Sequence, residues 1–115
     1  AVHRKRIQSA VAKGVSQLLA TWRTHNPAFE SGAGCDGGGR IVLLGHSLGA
    51  LICFDLLSSG ALLPSIRGSA SAFFTMGSPL GCFLSLRGAT LGRSFTLHHC
   101  HRIFNLFHPH DPVAY

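Results

Sequence analysis

Residues 41–50 read IVLLGHSLGA, four aliphatic side chains running into a serine held between two glycines. From Arg40 to Leu44 the apolar run is short and continuous, which predicts a strand buried on both faces of a parallel sheet. Leu48 to Leu57 (LGALICFDLL) is apolar almost all round and predicts a buried helix, ended by Ser58-Ser59-Gly60. Ser47 therefore falls on a sharp turn between strand and helix. The pattern G-x-S-x-G carries chemical meaning only in that setting, where the turn lifts the hydroxyl out of the sheet. Gly45-His46-Ser47-Leu48-Gly49 meets both conditions, and a side chain at either glycine is expected to collide with the neighbouring strand and helix. Ser47 Oγ would attack an acyl carbonyl, and the Leu48 N–H, aided by the helix dipole, would donate to the oxyanion. The plainer reading is a serine that caps the helix; a capping serine does not need both glycines. His46 adjoins Ser47 and cannot fold back as its base, so it reads as a strand-end side chain. A second oxyanion donor normally comes from a loop after an earlier strand, which this chain lacks.

Upstream, Ile7, Val11, Val15, Leu18 and Trp22 are spaced by four, four, three and four, a single helical stripe. That helix is expected to stop near His25-Asn26-Pro27, because proline disfavours helix in the residue before it. Ser31 to Gly39 holds five glycines in nine residues, without phosphate-loop spacing, and reads as a connector. Downstream, Ala70 to Met76 and Arg102 to Phe107 read as further strands, broken by Gly77-Ser78-Pro79 and His108-Pro109-His110-Asp111-Pro112. Cys82 to Arg87 reads as a short helical or extended piece. The organisation is thus an amphipathic helix over 1–26, a glycine-rich loop over 27–39 and a core over 40–115. The fold class is α/β, a partial α/β-hydrolase-like parallel sheet of about three central strands with the nucleophile elbow and with helices on both sides. A truncated parallel sheet leaves unpaired edges, so independent folding of these residues is doubtful.

The chain has 115 residues, enough for one domain, and starts at Ala1 rather than Met; both ends read as cut. An apolar content of 46% with 12% charged residues fits a buried globular interior. The net charge of +6 is concentrated only at His3-Arg4-Lys5-Arg6. Basic residues do not form a stripe interleaved with aromatics, which argues against nucleic acid; attraction to anionic lipid uses such a charge better. Cys35, Cys53, Cys82 and Cys100 are too widely spaced for a zinc ribbon. Cys53 and Cys82 lie inside apolar runs, where a free cysteine acts as a small hydrophobe. Without a visible signal peptide, reduced thiols in the cytosol are the default. No apolar run reaches the roughly 18 residues that span a bilayer.

GHSLGALICFDLL resembles the elbow of the DDHD-domain family of intracellular phospholipases. FFTMGSPLGCFLSLRG (73–88) and RIFNLFHPHDPVAY (102–115) are similar to two further elements of that family, in the same order. The resemblance spans residues 41–115. It implies phospholipase A1-type hydrolysis of an acyl ester, with phosphatidic acid and related phospholipids as substrates, at cytosolic faces of the ER and Golgi. Peripheral membrane contact is expected, no cofactor is needed, and oligomeric state is not readable. The family nucleophile falls on Ser47. The triad acid follows a late strand in the order Ser, Asp, His, which points to Asp111; the alternative for Asp111 is a turn residue before Pro112. Asp55 is the family's acid in the helix after the elbow, and it reads as structural, paired with an arginine. The family name refers to acids and histidines for which metal binding has been proposed; those residues do not all map here, and His98-His99-Cys100-His101 lacks a ligand spacing pattern. His108 matches the family's HP element and reads as a turn residue.

No histidine follows Asp111, so the base is expected beyond Tyr115 and these residues alone are expected to be inactive. A second reading is a non-catalytic DDHD module that binds acidic phospholipid, as in phosphatidylinositol-transfer-type proteins. A third is another serine lipase sharing the elbow, against which HPHDPVAY argues.

Overall fold

The computed structural model describes residues 2–29, 39–67, 70–82 and 99–112. The elements are α1 (Val2–His25), β1 (Val42–His46), α2 (Leu48–Ser59), α3 (Leu63–Ile66), β2 (Ala72–Met76) and β3 (Ile103–Leu106). The three strands form one parallel sheet in the order β1-β2-β3. Leu43 is level with Phe73 and Gly45 with Thr75, while Phe74 is level with Phe104. A parallel pair needs a long crossover, and α2 and α3 lie in the one between β1 and β2. Gly60 ends α2 in the left-handed region at φ 77, where its N–H and that of Ala61 take up the Leu57 and Leu56 carbonyls. Pro64 then opens α3, where a missing N–H costs nothing.

α1 ends at His25, as the proline predicts. The side of α1 that meets the body shares Val11 and Val15 with the stripe read above but is rotated away from Leu18 and Trp22. Val11, Ala12, Val15 and Leu19 pack on the core, whereas Leu18 is 70% exposed and Trp22 is 50% exposed. The packed row is 8-12-15-19-23, a helical period whose ends are polar. Gln8 at one end donates to Asp55 Oδ2 at 3.1 Å, and Arg23 at the other donates to the Ser65 carbonyl at 2.6 Å. An apolarity count favours Leu18 and Trp22 because it gives no weight to these anchored polar residues.

The core gathers Ala50, Phe54, Leu56, Leu57, Leu62, Ile66, Ala70, Phe73 and Leu80. It lies on the side of the sheet carrying Leu43, Gly45, Phe73 and Thr75. On the opposite side Val42, Leu44, Met76, Phe104 and Leu106 are exposed, and Phe74 stacks on Phe104 with centroids 4.8 Å apart. Among the described residues, then, β1 is not buried on both faces and helices cover one side only. A continuous apolar run says that both faces of a strand are apolar, not that both are covered. Cys53 is half-buried against the core, but Cys82 is exposed, so only the former acts as a core hydrophobe. Most of the segment 82–87 lies outside the described residues, as do Cys35 and His98. No described helix is long and apolar enough to cross a membrane.

Candidate active site

Ser47 stands between β1 and α2 with φ 54 and ψ −123. A non-glycine residue there is strained by about 1–3 kcal/mol, and such strain persists only where the surroundings impose it. Here both neighbours are fixed. The Ser47 N–H donates to the Met76 carbonyl at 2.9 Å, extending the β1–β2 ladder, and the Ser47 carbonyl accepts from Ala50 N–H at 3.2 Å, opening the helix. The hydroxyl makes no capping hydrogen bond, although Ser47 occupies the cap position. A serine retained for capping would use that bond, so the capping alternative has lost its support.

The two glycines play different parts. A Cβ on Gly45 would lie 2.5 Å from Ala50 Cα, so β1 can cross beneath α2 only without a side chain there. A Cβ on Gly49 would meet nothing within 4 Å among the described residues, which corrects the expectation that both positions are sterically closed. Leu48 is the first residue of α2, where backbone N–H groups lack intrahelical acceptors and the helix dipole is positive. That N–H can receive negative charge that develops on an oxygen beside Ser47.

The second predicted residue reaches the same edge of the sheet from the other side. Gly77, after β2, donates its N–H to the Leu106 carbonyl at 3.0 Å, and Asp111 N–H donates to the His108 carbonyl at 2.9 Å in the turn after β3. A methyl placed on Gly77 would lie 3.8 Å from both Asp111 Oδ2 and His46 Nε2. Ser47 after β1 and Asp111 after β3 thus flank the end of the central strand, at the carboxyl edge where α/β sheets bind ligands. In a serine triad the nucleophile and acid do not touch; an imidazole stands between them. His46 is the exposed last residue of β1, and His108 belongs to the turn, its Nδ1 accepting from His110 N–H at 3.1 Å. The described residues contain no group of three or more His, Cys, Asp or Glu side chains able to hold a metal.

Asp55 is paired with an arginine, as expected: Arg4 Nη2 lies 2.5 Å from its Oδ2, with the carboxylate 14% exposed. The bond ties α1 to α2. Sequence reasoning missed what surrounds it, an open groove of about 370 Å³ between the two helices. Its apolar lining comes from Ile7, Leu48, Leu51 and Ile52. The signal was present in the spacing of 48, 51, 52 and 55, which share one face of α2.

Residues 69–115 match the DDHD domain, a span that takes in β2, β3 and Asp111 but not the elbow. The chain is 32% identical, over 98% of its length, to a probable mitochondrial phospholipase of Schizosaccharomyces pombe. It is 47% identical to mouse phospholipase DDHD1 over 45% of its length, and 26% identical to the intracellular phospholipase A1 of Caenorhabditis elegans over 94%. It spans 17%, 11% and 19% of those proteins respectively. No solved structure matches it. Over residues 69–115 the chain belongs to the DDHD-domain family.

Proposed function

We propose that these residues supply the nucleophile and the acid of a phospholipase that cleaves an acyl ester of phospholipids, in the A1 manner and on phosphatidic acid among them. The observation that carries this reading is the strained, uncapped Ser47 at a strand–helix junction closed by Gly45. The relatives' names, phospholipases in three organisms, support the substrate class.

Ser47 Oγ attacks the ester carbonyl as the base takes its proton. The carbonyl oxygen becomes an alkoxide facing the Leu48 N–H, and a second donor comes from outside this chain. Collapse expels the lysophospholipid alkoxide, which takes the proton from the base and leaves an acyl-serine that water hydrolyses by the same steps. Asp111 holds the imidazole in the right tautomer and stabilises its cation. By the Ser–Asp–His chain order, that imidazole belongs to a histidine beyond Tyr115. The protein works peripherally, on cytosolic faces of ER and Golgi membranes, with the exposed His3-Arg4-Lys5-Arg6 cluster attracted to anionic lipid.

The test is hydrolysis of phosphatidic acid labelled in its sn-1 chain by the full-length protein. Ser47→Ala is expected to lower kcat/KM by roughly 10³-fold or more. An unchanged rate refutes the nucleophile assignment.

A further inference from the structure

We propose that the groove between α1 and α2 holds the acyl chain of the ester whose carbonyl Ser47 attacks; this rests on the reading of Ser47 as the nucleophile. The groove reaches Leu48, the first residue of α2 and the one that follows Ser47. Leu48, whose N–H faces the developing oxyanion, also contributes its side chain to the groove wall. From there Leu51 and Ile52 continue along the same face of α2 as a half-buried floor, and Ile7 of α1 forms the facing rim, 51% exposed.

The far end is polar. Asp55 lies eight residues beyond Ser47, about 12 Å along the helix at the usual rise. There it is held by Arg4 Nη2 and Gln8 Nε2. A hydrocarbon chain gains free energy along the apolar stretch, at about 25 cal/mol per Å² buried. It gains nothing at the ion pair, whose desolvation opposes entry. Continuity with the oxyanion donor, an apolar lining and a charged stop favour one occupant, a fatty acyl chain running from the ester carbon toward Asp55. A peptide would leave its backbone groups without partners against Leu51 and Ile52. Ile7, on the open rim, then sets the width available to that chain.

The experiment uses full-length protein with nitrophenyl butyrate and palmitate, and, in a Ser47→Ala background, the fluorescent fatty acid cis-parinaric acid. Ile7→Trp is expected to lower the palmitate-to-butyrate ratio of kcat/KM, and the affinity for the probe, about tenfold each. Ile7→Ala is expected to raise both, which a misfolded variant would not do. Leu18→Trp, on the outer side of α1, serves as the fold control and leaves both where they were. If neither Ile7 variant moves the ratio or the probe affinity, the proposal is overturned. If Ser47→Ala keeps full hydrolysis, the nucleophile assignment falls and the probe titration alone decides the groove.

Discussion

At Ser47 the backbone and the side chain tell the same story. The residue accepts a positive φ and yet forgoes the capping bond that its position offers. The cost is repaid by the ladder bond to Met76 and by the start of α2. The glycines divide the work, which gives a paired prediction. Gly45→Ala drives a methyl into the Ala50 backbone and should lower unfolding stability by about 2–3 kcal/mol. Gly49→Ala meets open space inside a helix and should be neutral or stabilising by up to about 1 kcal/mol. Urea midpoints on the same protein distinguish them; equal losses would refute the crossing geometry. Asp111 is tested by charge removal at constant shape. Asp111→Asn should lower kcat by up to about 10⁴-fold while the unfolding midpoint stays put, because the role proposed for it is to orient an imidazole rather than to fill the core. A loss of stability that matches the loss of rate would instead make it the turn residue.

Helix α2 is the element on which fold and site meet, and its reading from sequence was close. The apolar run LGALICFDLL fixed a helix from Leu48, and the lone acid within it was expected to find an arginine, which Arg4 supplies. The missed part lay on α1, where the packed row runs from Gln8 to Arg23. Polar end residues that bond across helices look like surface residues in a one-dimensional pattern. Since Arg4 is 52% exposed, Arg4→Met should cost only about 1 kcal/mol, and the difference should shrink at high salt. Chemical denaturation in low and high salt measures it. Thiol chemistry separates α2 from its surroundings as well. Burial pushes the Cys53 thiol above its ordinary range, so it stays protonated and slow, whereas Cys82 is exposed. Because the folded pKa of Cys53 is raised, its contribution to stability is whole below the unfolded thiol's pKa and is lost as pH rises through the folded one. Iodoacetamide mapping at neutral pH should find Cys82 modified well before Cys53; the reverse order would contradict the packing of α2.

For the molecule as a whole, the three strands, their parallel pairing and their stop signals were legible, because glycine and proline turns follow each strand, whereas the order β1-β2-β3 comes from the structure alone. Which face is covered was not legible. Val42, Leu44, Met76, Phe104 and Leu106 form a contiguous apolar surface that no described residue covers, and among the described residues β1 and β3 each have one unpaired edge. Residues 1–115 expressed alone should therefore self-associate and bind an apolar dye, and Leu44→Lys should reduce both. Sedimentation with dye titration checks this; a monodisperse, dye-silent chain would show that the face is covered after all. Ser47 and Asp111 were legible as candidates through the elbow and chain order, while the groove between α1 and α2 needed two helices brought together in space.

The central claim is that Ser47 is a nucleophile, and covalent labelling tests it most directly. Full-length protein treated with a fluorophosphonate probe and digested should carry the phosphonyl adduct on the peptide containing Ser47, with none in Ser47→Ala. A protein that binds phospholipid yet leaves Ser47 unlabelled would contradict the account and make this domain a lipid-binding module.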